Sequence, residues 1–568
     1  MRNNKGYALI YVVGVIALVL FLVGTLTGYT LQRTRNIQRR IRNERDMAEA
    51  IRRVEVLSME LADYLYTLDQ KSTDPVNGQD IAFSIRELIA TIGPDLHNIQ
   101  KKYDQMYPDG QLEIILPDLH TLPLNTYTAE ILIRVQVNAV TVERPLYITN
   151  LPSFLFFALG SNRDLSLFGG SLIDGDIYIG GTTYLSDQFR FVYNQRLETY
   201  HDNQPVNKPF ITPNHSIYTA NPIQYCLYTD DKPCHLIEDN RFAIVKQNYL
   251  QVKSMDDLSE ALHIIPGREV PAIRPYLQRF LQVDLDRTFN YYLPIDPVTV
   301  STIQELYNYR ASGVSVLYDG DLIISDETMP NFKNAPTFAF TNPDELVWIV
   351  VNGNLIIENN KPSPYLNINA NFLVYGDVDI RGNVAMNSII YTKGQVNIYN
   401  ASILPYQGLN NTAGRLILLA KGNIHISKIH SFLDPQKRAP ISFRDDGSYE
   451  IYPDISAFLH TEQNFEIYTV SSLLSISGGL FAKGEGNEPI KHTHDSYGLM
   501  VNSYRGHVSL AVRDGEDRLA FQPPTDEHPE LTSRFIIQHS QDILTRQPEG
   551  LPINGHFNYL FGDYKVSY

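Results

Sequence analysis

The stretch GNLIIENNKPSPYLNINANFLVYGDVDIRGNVAMNSIIYTKGQVNI, residues 353–398, repeats one phrase three times: a glycine, a polar residue, then apolar-x-apolar. Working outward, the phrase returns as GDIYI (175–179), GDLII (320–324), GNIHI (422–426) and GHVSL (506–510). Its glycines are Gly175, Gly320, Gly353, Gly376, Gly394, Gly422 and Gly506. Between 353 and 422 the copies lie 23, 18 and 28 residues apart. Such spacing suits one coil of a parallel β-solenoid. Each glycine makes a corner, each Asp or Asn bonds its own turn, and each apolar pair enters a stacked core. Runs such as FLVYG, NSIIYTKG and RLILLAKG supply the other faces. The alternative arrangement of the same strands is a β-sandwich with Gly-Asp turns.

The pattern divides the chain. Residues 151–184 read as first solenoid turns, 185–312 as an inserted α+β subdomain, and 313–568 as the solenoid resumed. The insertion carries prolines, both cysteines and the helical stretches SMDDLSEALHII, AIRPYLQRFLQ and VSTIQELYNYR. Upstream, 76–150 is an α+β linker region that follows the turn-rich STDPVNGQD. In it one or two helices stop at Gly93-Pro94, and LEIILPDL and AEILIRVQVNAVTVERPLYI alternate as half-buried strands do.

The chain has 568 residues, 43% hydrophobic and 19% charged, a globular composition. Its net charge is −16, yet residues 1–53 hold ten Lys/Arg against three Asp/Glu. An acidic body argues against nucleic acid, which rewards a basic face. Cys226 and Cys234, in CLYTDDKPC, are spaced to close a small loop as a disulfide where the compartment oxidises; two free thiols are the alternative.

At the N-terminus, residues 7–31 contain no charge. As a helix they would run about 37 Å, enough to span a hydrocarbon core of about 30 Å. The run is too long for a cleaved secretory signal, whose apolar core is about 7–15 residues. Arg33, Arg35, Arg39, Arg40, Arg42 and Arg45 follow, suited to anionic headgroups. Over 32–70 the helix continues amphipathically, with Ile37, Ile41, Ala48, Ile51, Ser58, Leu61, Leu65 and Leu68 at helical spacing.

A basic leader ending in Lys5-Gly6, then Tyr7 and an apolar helix running into an amphipathic one, resembles the type IV pilins and pseudopilins. The segment RTRNIQRRIRNERDMAEAIRRVEVL is similar to that of PilX-type minor pilins. The resemblance covers about the first 65 residues. It implies that residues 1–6 are a leader peptide, cut between Gly6 and Tyr7 by a prepilin peptidase, with the helix retained. It further implies a single pass through a bacterial inner membrane, a large domain outside the cytoplasm or on the cell surface, and other pilins or pilus assembly proteins as partners. Tyr11 stands where the family's major subunits usually carry Glu, and their common helix-kinking proline is missing. Both departures point to a tip, priming or membrane-held subunit. Counted alone, the arginines after the run would instead place the large domain in the cytoplasm.

For chemistry, the chain offers Asp377 with Asp379, Arg444-Asp445-Asp446, and Asp514 with Glu516 and Asp517. Asp377 sits in the repeat's corner position and reads as a turn former, the other groups as charged loop tips. His492, His494 and Asp495 are close enough in sequence to ligate a metal but read as alternate strand or loop residues. There is no Gly-rich phosphate loop, nucleophile elbow or metalloprotease helix. The expectation is a mainly β, non-enzymatic structural protein with a long N-terminal α-helix and no metal or cofactor. It would display its solenoid for adhesion or pilus assembly, with a glycan or host surface as ligand. The alternatives are a membrane-tethered polysaccharide-active enzyme, and a cytoplasmic bactofilin-like polymer anchored by an uncleaved helix.

Overall fold

The computed structural model describes residues 5–72, 85–108, 110–118, 127–193, 196–200, 207–265, 269–276, 280–310, 312–328, 337–342, 346–406, 414–428, 442–443, 449–450, 452–491, 493–513, 516–524, 532–544, 548–552, 556–562 and 564–567. It forms two compact units, the first from residues 1–150 with 555–568 and the second from 151–554.

The first unit is a helix layer on an antiparallel sheet. Helix α1 is Lys5–Ser72 and helix α2 is Ile85–Met106. Strands β1 (Gly110–Ile115), β2 (Thr128–Val137) and β3 (Val140–Thr149) form a meander, and the chain's last strands, Asn558–Phe561 and Lys565–Ser567, pair with β3. Alternation along β2 turns Ile131, Ile133 and Val135 to one face, where Ala50, Val54, Leu57, Leu61 and Leu65 of α1 and Ile85, Ile89 and Ile92 of α2 meet them. Pro94 does not stop α2, contrary to the sequence expectation. Leu88 and Ile92 before it and Leu96 and Tyr103 after it share one buried face, and that burial offsets the lost backbone bond. The helical stripe of α1 is also shifted. Ile37, Ile41 and Ala48 are exposed, because packing begins only near Asp46.

The second unit is mainly β, and among the described residues its main sheet joins 27 strands that are almost wholly parallel. Three ladders compose it. The first runs Val298, Val316, Ile349, Phe372, Ile390, Leu418, Leu459, Leu480, Leu159, Ile177, Ile217, Ile273. The second runs Leu322, Leu355, Val378, Val396, Ile424, Phe465, Leu499, Leu165, Thr183, Ile223. The third runs Leu366, Val384, Ile403, Ile455, Ile476, Ile537, Ile173, Ile211. From 348 to 538 the chain visits first, second and third ladder in that order again and again, and inward side chains of all three share one core.

Register explains the repeated phrase. Leu322, Leu355, Val378, Val396 and Ile424 are successive rungs of one ladder. The polar residue before each does not bond its own turn. Asp321 Oδ1 accepts from the Asn354 amide at 2.7 Å, Asn354 Oδ1 from that of Asp377 at 2.8 Å, and Asp377 Oδ1 from that of Gln395 at 2.7 Å. Each side chain therefore ties one rung to the next. The glycines serve the same approach: a Cβ on Gly376 would lie 2.4 Å from Asn354 Oδ1 and 2.6 Å from the Gly353 carbonyl oxygen. Gly175 precedes a rung of the first ladder, Ile177, rather than of the second. Gly506 is not a corner of the sheet at all. Its phrase opens an antiparallel hairpin, His507–Arg513 with Glu516–Gln522.

Two boundaries differ from the sequence reading. Strands inside 185–312, among them Phe210–Ile211, Ser216–Thr219, Ile223–Cys226 and Val298–Val300, belong to the parallel sheet. At the other end, the last strands of the chain belong to the first unit. What does lie outside the ladders includes the hairpins Phe189–Tyr193/Arg196–Tyr200 and His235–Glu238/Arg241–Ile244, which build an aromatic side core. There Arg190 makes a buried ion pair with Glu466. Of the stretch 272–282, the described residues 272–276 and 280–282 are not helical, and it opens with the strand Ala272–Arg274.

Short helices meet both ends of the sheet. Helix α3 (Met255–Ala261) brings Leu258 into the core near Tyr225, whose hydroxyl donates to Glu260 at 3.0 Å. Helix α4 (Leu285–Tyr292) belongs to a segment running back along the first ladder's outer face. At the opposite end, α5 (Ile303–Asn308) buries Leu306 and sets Tyr307 against Phe338. Capping boxes, Ser254 with Asp257 and Thr302 with Glu305, start α3 and α5.

Candidate membrane anchor

The apolar beginning of α1 is exposed along its described side chains, residues 12–31. Its most apolar window of 18 residues has a mean hydropathy of 2.3, with 0% of it buried. By length and composition this helix can cross a membrane. Its threonine hydroxyls are satisfied within the helix: Thr25 donates to the Leu22 carbonyl at 2.9 Å, Thr27 to Val23 at 2.7 Å and Thr30 to Leu26 at 2.6 Å. In hydrocarbon an unbonded hydroxyl is costly, so these back-bonds fit the segment for lipid. A Cβ added at Gly14, Gly24 or Gly28 would meet nothing within 4 Å.

Beyond the run, Arg33, Arg35, Arg39, Arg40, Arg42 and Arg45 are all exposed. At 100° per residue they are distributed around the helix rather than along one face. Arg40 pairs with Glu44 at 3.0 Å. Past Arg45 the helix changes character. Glu49 accepts from Arg52 and Arg53, which hold its carboxyl down to about 2. Arg53 is buried over the Tyr107 ring at 4.5 Å. Arg144 of β3 lies against the rings of Phe561 and Tyr564, at 4.8 and 4.6 Å, while donating to Ser58 Oγ of α1 and to the Gly562 carbonyl. One guanidinium thus ties helix, sheet and C-terminal tail together.

The remaining sequence candidates are dispersed. Gly6, Tyr7 and Tyr11 lie within α1. Cys226 and Cys234 are both buried and joined as a disulfide, Cα to Cα 5.7 Å. Asp377 holds the Gln395 amide, and Asp379 pairs with Arg381 at 2.9 Å and accepts from Asn397 Nδ2. Arg444, Asp445, Asp446, Asp514 and His492 lie outside the described residues, as does the linker 73–80, and Glu516 and Asp517 are on the antiparallel hairpin. His494 Nε2 lies 3.1 Å from the Glu238 carbonyl, and Asp495 pairs with Lys246 at 3.0 Å. Among the described residues no group of three or more His, Cys, Asp or Glu is placed to hold a metal ion. Sequence reasoning missed Arg144, whose partners at Ser58 and Phe561 are brought near only by folding. It also missed His215, set between Asp174 and Asp176 at 3.3 and 3.5 Å; these carboxylates raise its pKa to about 9 against the opposing effect of burial.

No protein-family model matches this chain, and no curated protein does. Among solved structures it is similar to the competence-associated pilin ComZ from Thermus thermophilus, at 11% identity over 81% of this chain and 88% of that one. The TM-score is 0.22, and at that value the likeness carries no fold or function to this chain.

Proposed function

We propose that this chain is a pilin-like, non-enzymatic structural subunit of the bacterial cell envelope. The beginning of α1 holds it in the inner membrane, and its second unit is a β-solenoid displayed outside the cytoplasm for adhesion or pilus assembly. One observation carries the reading. A single helix is apolar and internally hydrogen-bonded in its first part, exposed over its described residues 12–31, then becomes the core helix of an antiparallel sheet. The lysine-glycine-tyrosine junction at 5–7 adds a leader cut between Gly6 and Tyr7, in the manner of a PilX-type minor pilin.

The repeated passage through three ladders, with Asx side chains tying rung to rung, supports the solenoid reading over a sandwich, whose sheets are antiparallel. Placing α3 and α5 against its two ends speaks against a polymer that stacks end to end, which needs open strand edges. The engagement of Asp377 and Asp379 in structural bonds speaks against the enzyme reading.

Proteinase K digestion of intact spheroplasts tests the proposal. Loss of the second unit, with an α1 fragment left in the membrane, is the expected result. Protection of the whole chain until lysis would assign the body to the cytoplasm and overturn the reading.

A further inference from the structure

Where the third ladder hands the chain to the first, a groove of about 460 Å³ opens along the stack. It follows four successive handovers, at Asn342, at 369–371, at 387–389 and at 414–415, and Ile543, Pro548 and Glu549 contribute to its wall. With parallel strands about 4.8 Å apart, four handovers extend about 14 Å. The groove is therefore shaped for a linear ligand rather than a compact one.

Its chemistry is that of carboxamides. Asn387 Nδ2 donates to Asn369 Oδ1 at 2.9 Å, and Asn371 Oδ1 accepts from the Ile389 amide at 2.9 Å. Those bonds fix the orientation of each amide. They leave the amino groups of Asn369 and Asn371 as donors at one handover and Asn387 Oδ1 as an acceptor at the next. Ile389 and Ile417, buried neighbours on successive rungs, form the apolar part of the lining. Arg415 is already paired with Asp542 at 2.6 Å, and the exposed Glu549 carboxylate adds an acceptor at the rim. A polyanion would meet that carboxylate without a dedicated cation. A peptide seeking a strand edge would find handover corners, not an open ladder.

We propose that this groove binds an uncharged oligosaccharide, whose hydroxyls both donate and accept and whose ring faces are apolar. The site lies wholly within the second unit, and its binding does not depend on how the chain is anchored or on whether its leader is cut.

The test uses the full chain in lipid nanodiscs, since glycoside detergents would compete. Linear hexasaccharides of glucose, of mannose and of N-acetylglucosamine are titrated calorimetrically, with a heparin hexasaccharide and an unstructured neutral peptide as comparators. At least one neutral sugar is expected to bind, and Asn387→Leu and Glu549→Ala each to weaken it about tenfold, roughly 1.4 kcal/mol. Thermal melting checks that each variant is folded. Glu549, being exposed, gives a variant that reads the site even if Asn387→Leu proves unstable. Absence of binding by all three neutral sugars at roughly 5 mM overturns the proposal. So does preference for heparin or the peptide, or a neutral sugar held equally well by wild type and the folded variants.

Discussion

Leu480 and Leu159 are parallel partners, neighbouring rungs of one ladder, although the chain reaches Leu159 long before it reaches Leu480. The strands at 159–226 therefore continue the stack beyond its C-terminal rungs, and the chain must return to begin again at Val298, the far end of the same ladder. The return is visible. Phe280 stacks on Phe481, Leu285 donates its amide to Glu462, Asp286 pairs with Lys421, Phe289 meets Tyr375, and Tyr292 meets Trp348. It covers the outer face of the first ladder, so Val350, Leu373, Tyr391 and Leu419 are buried there.

Carbodiimide cross-linking checks this path. The Lys421–Asp286 pair, and Lys246–Asp495 between a hairpin and a later loop, should each yield a zero-length link in peptide mass spectra. Lys246–Asp495 controls for the chemistry, and a folded chain that gives it without the Lys421–Asp286 link would refute the return path.

How much of this was legible is clearest residue by residue. The rungs Leu322, Leu355, Val378, Val396 and Ile424 could be read because close approach of successive corners demands glycine and an Asx side chain demands an amide to hold. Gly506 misled because period-two alternation is the same in an antiparallel hairpin and a parallel rung. Nothing in a repeat tells which distant copy it will stack on, so the Leu159–Leu480 pairing was invisible. The apolar helix was legible from composition, whereas Ile37 and Ile41 show that an amphipathic pattern does not reveal where the partner surface begins. In the groove, Asn369 and Asn387 stand 18 residues apart, as Gly376 and Gly394 do, a signal present but unread.

The ties between rungs should be measurable. Gly376→Ala places a Cβ against the neighbouring corner's backbone and should cost about 3 kcal/mol. Asp377→Ala, which removes only the acceptor for the Gln395 amide, should cost about 1 kcal/mol. Urea unfolding followed by circular dichroism gives both, and equal effects would contradict the close-approach argument.

His215 makes the second unit pH-sensitive. Its folded pKa of about 9 exceeds the ordinary 6.5, so its contribution is complete below about pH 6.5 and is lost as pH rises through 9. At most about 3 kcal/mol is at stake. The wild-type melting temperature should fall between pH 7 and pH 9.5, roughly the window set by that shift, and His215→Gln should flatten the fall. A variant whose curve parallels the wild type would dismiss the Asp174–His215–Asp176 clamp.

Two further ties are separable. Cys226→Ser with Cys234→Ser opens a short loop and should cost the second unit about 2–3 kcal/mol in denaturant. Arg144→Ala leaves Ser58 and the Phe561–Tyr564 pair without their shared partner. It should speed amide exchange in the last C-terminal strands while leaving Leu159–Phe168 protected.

The anchor itself is tested most directly by intact-mass and N-terminal mass spectrometry of protein extracted from the membranes of a bacterium with active prepilin peptidase. The expected result is a chain beginning at Tyr7, with the apolar part of α1 retained. A chain still beginning at Met1, or one that has lost residues 7–31, would contradict it.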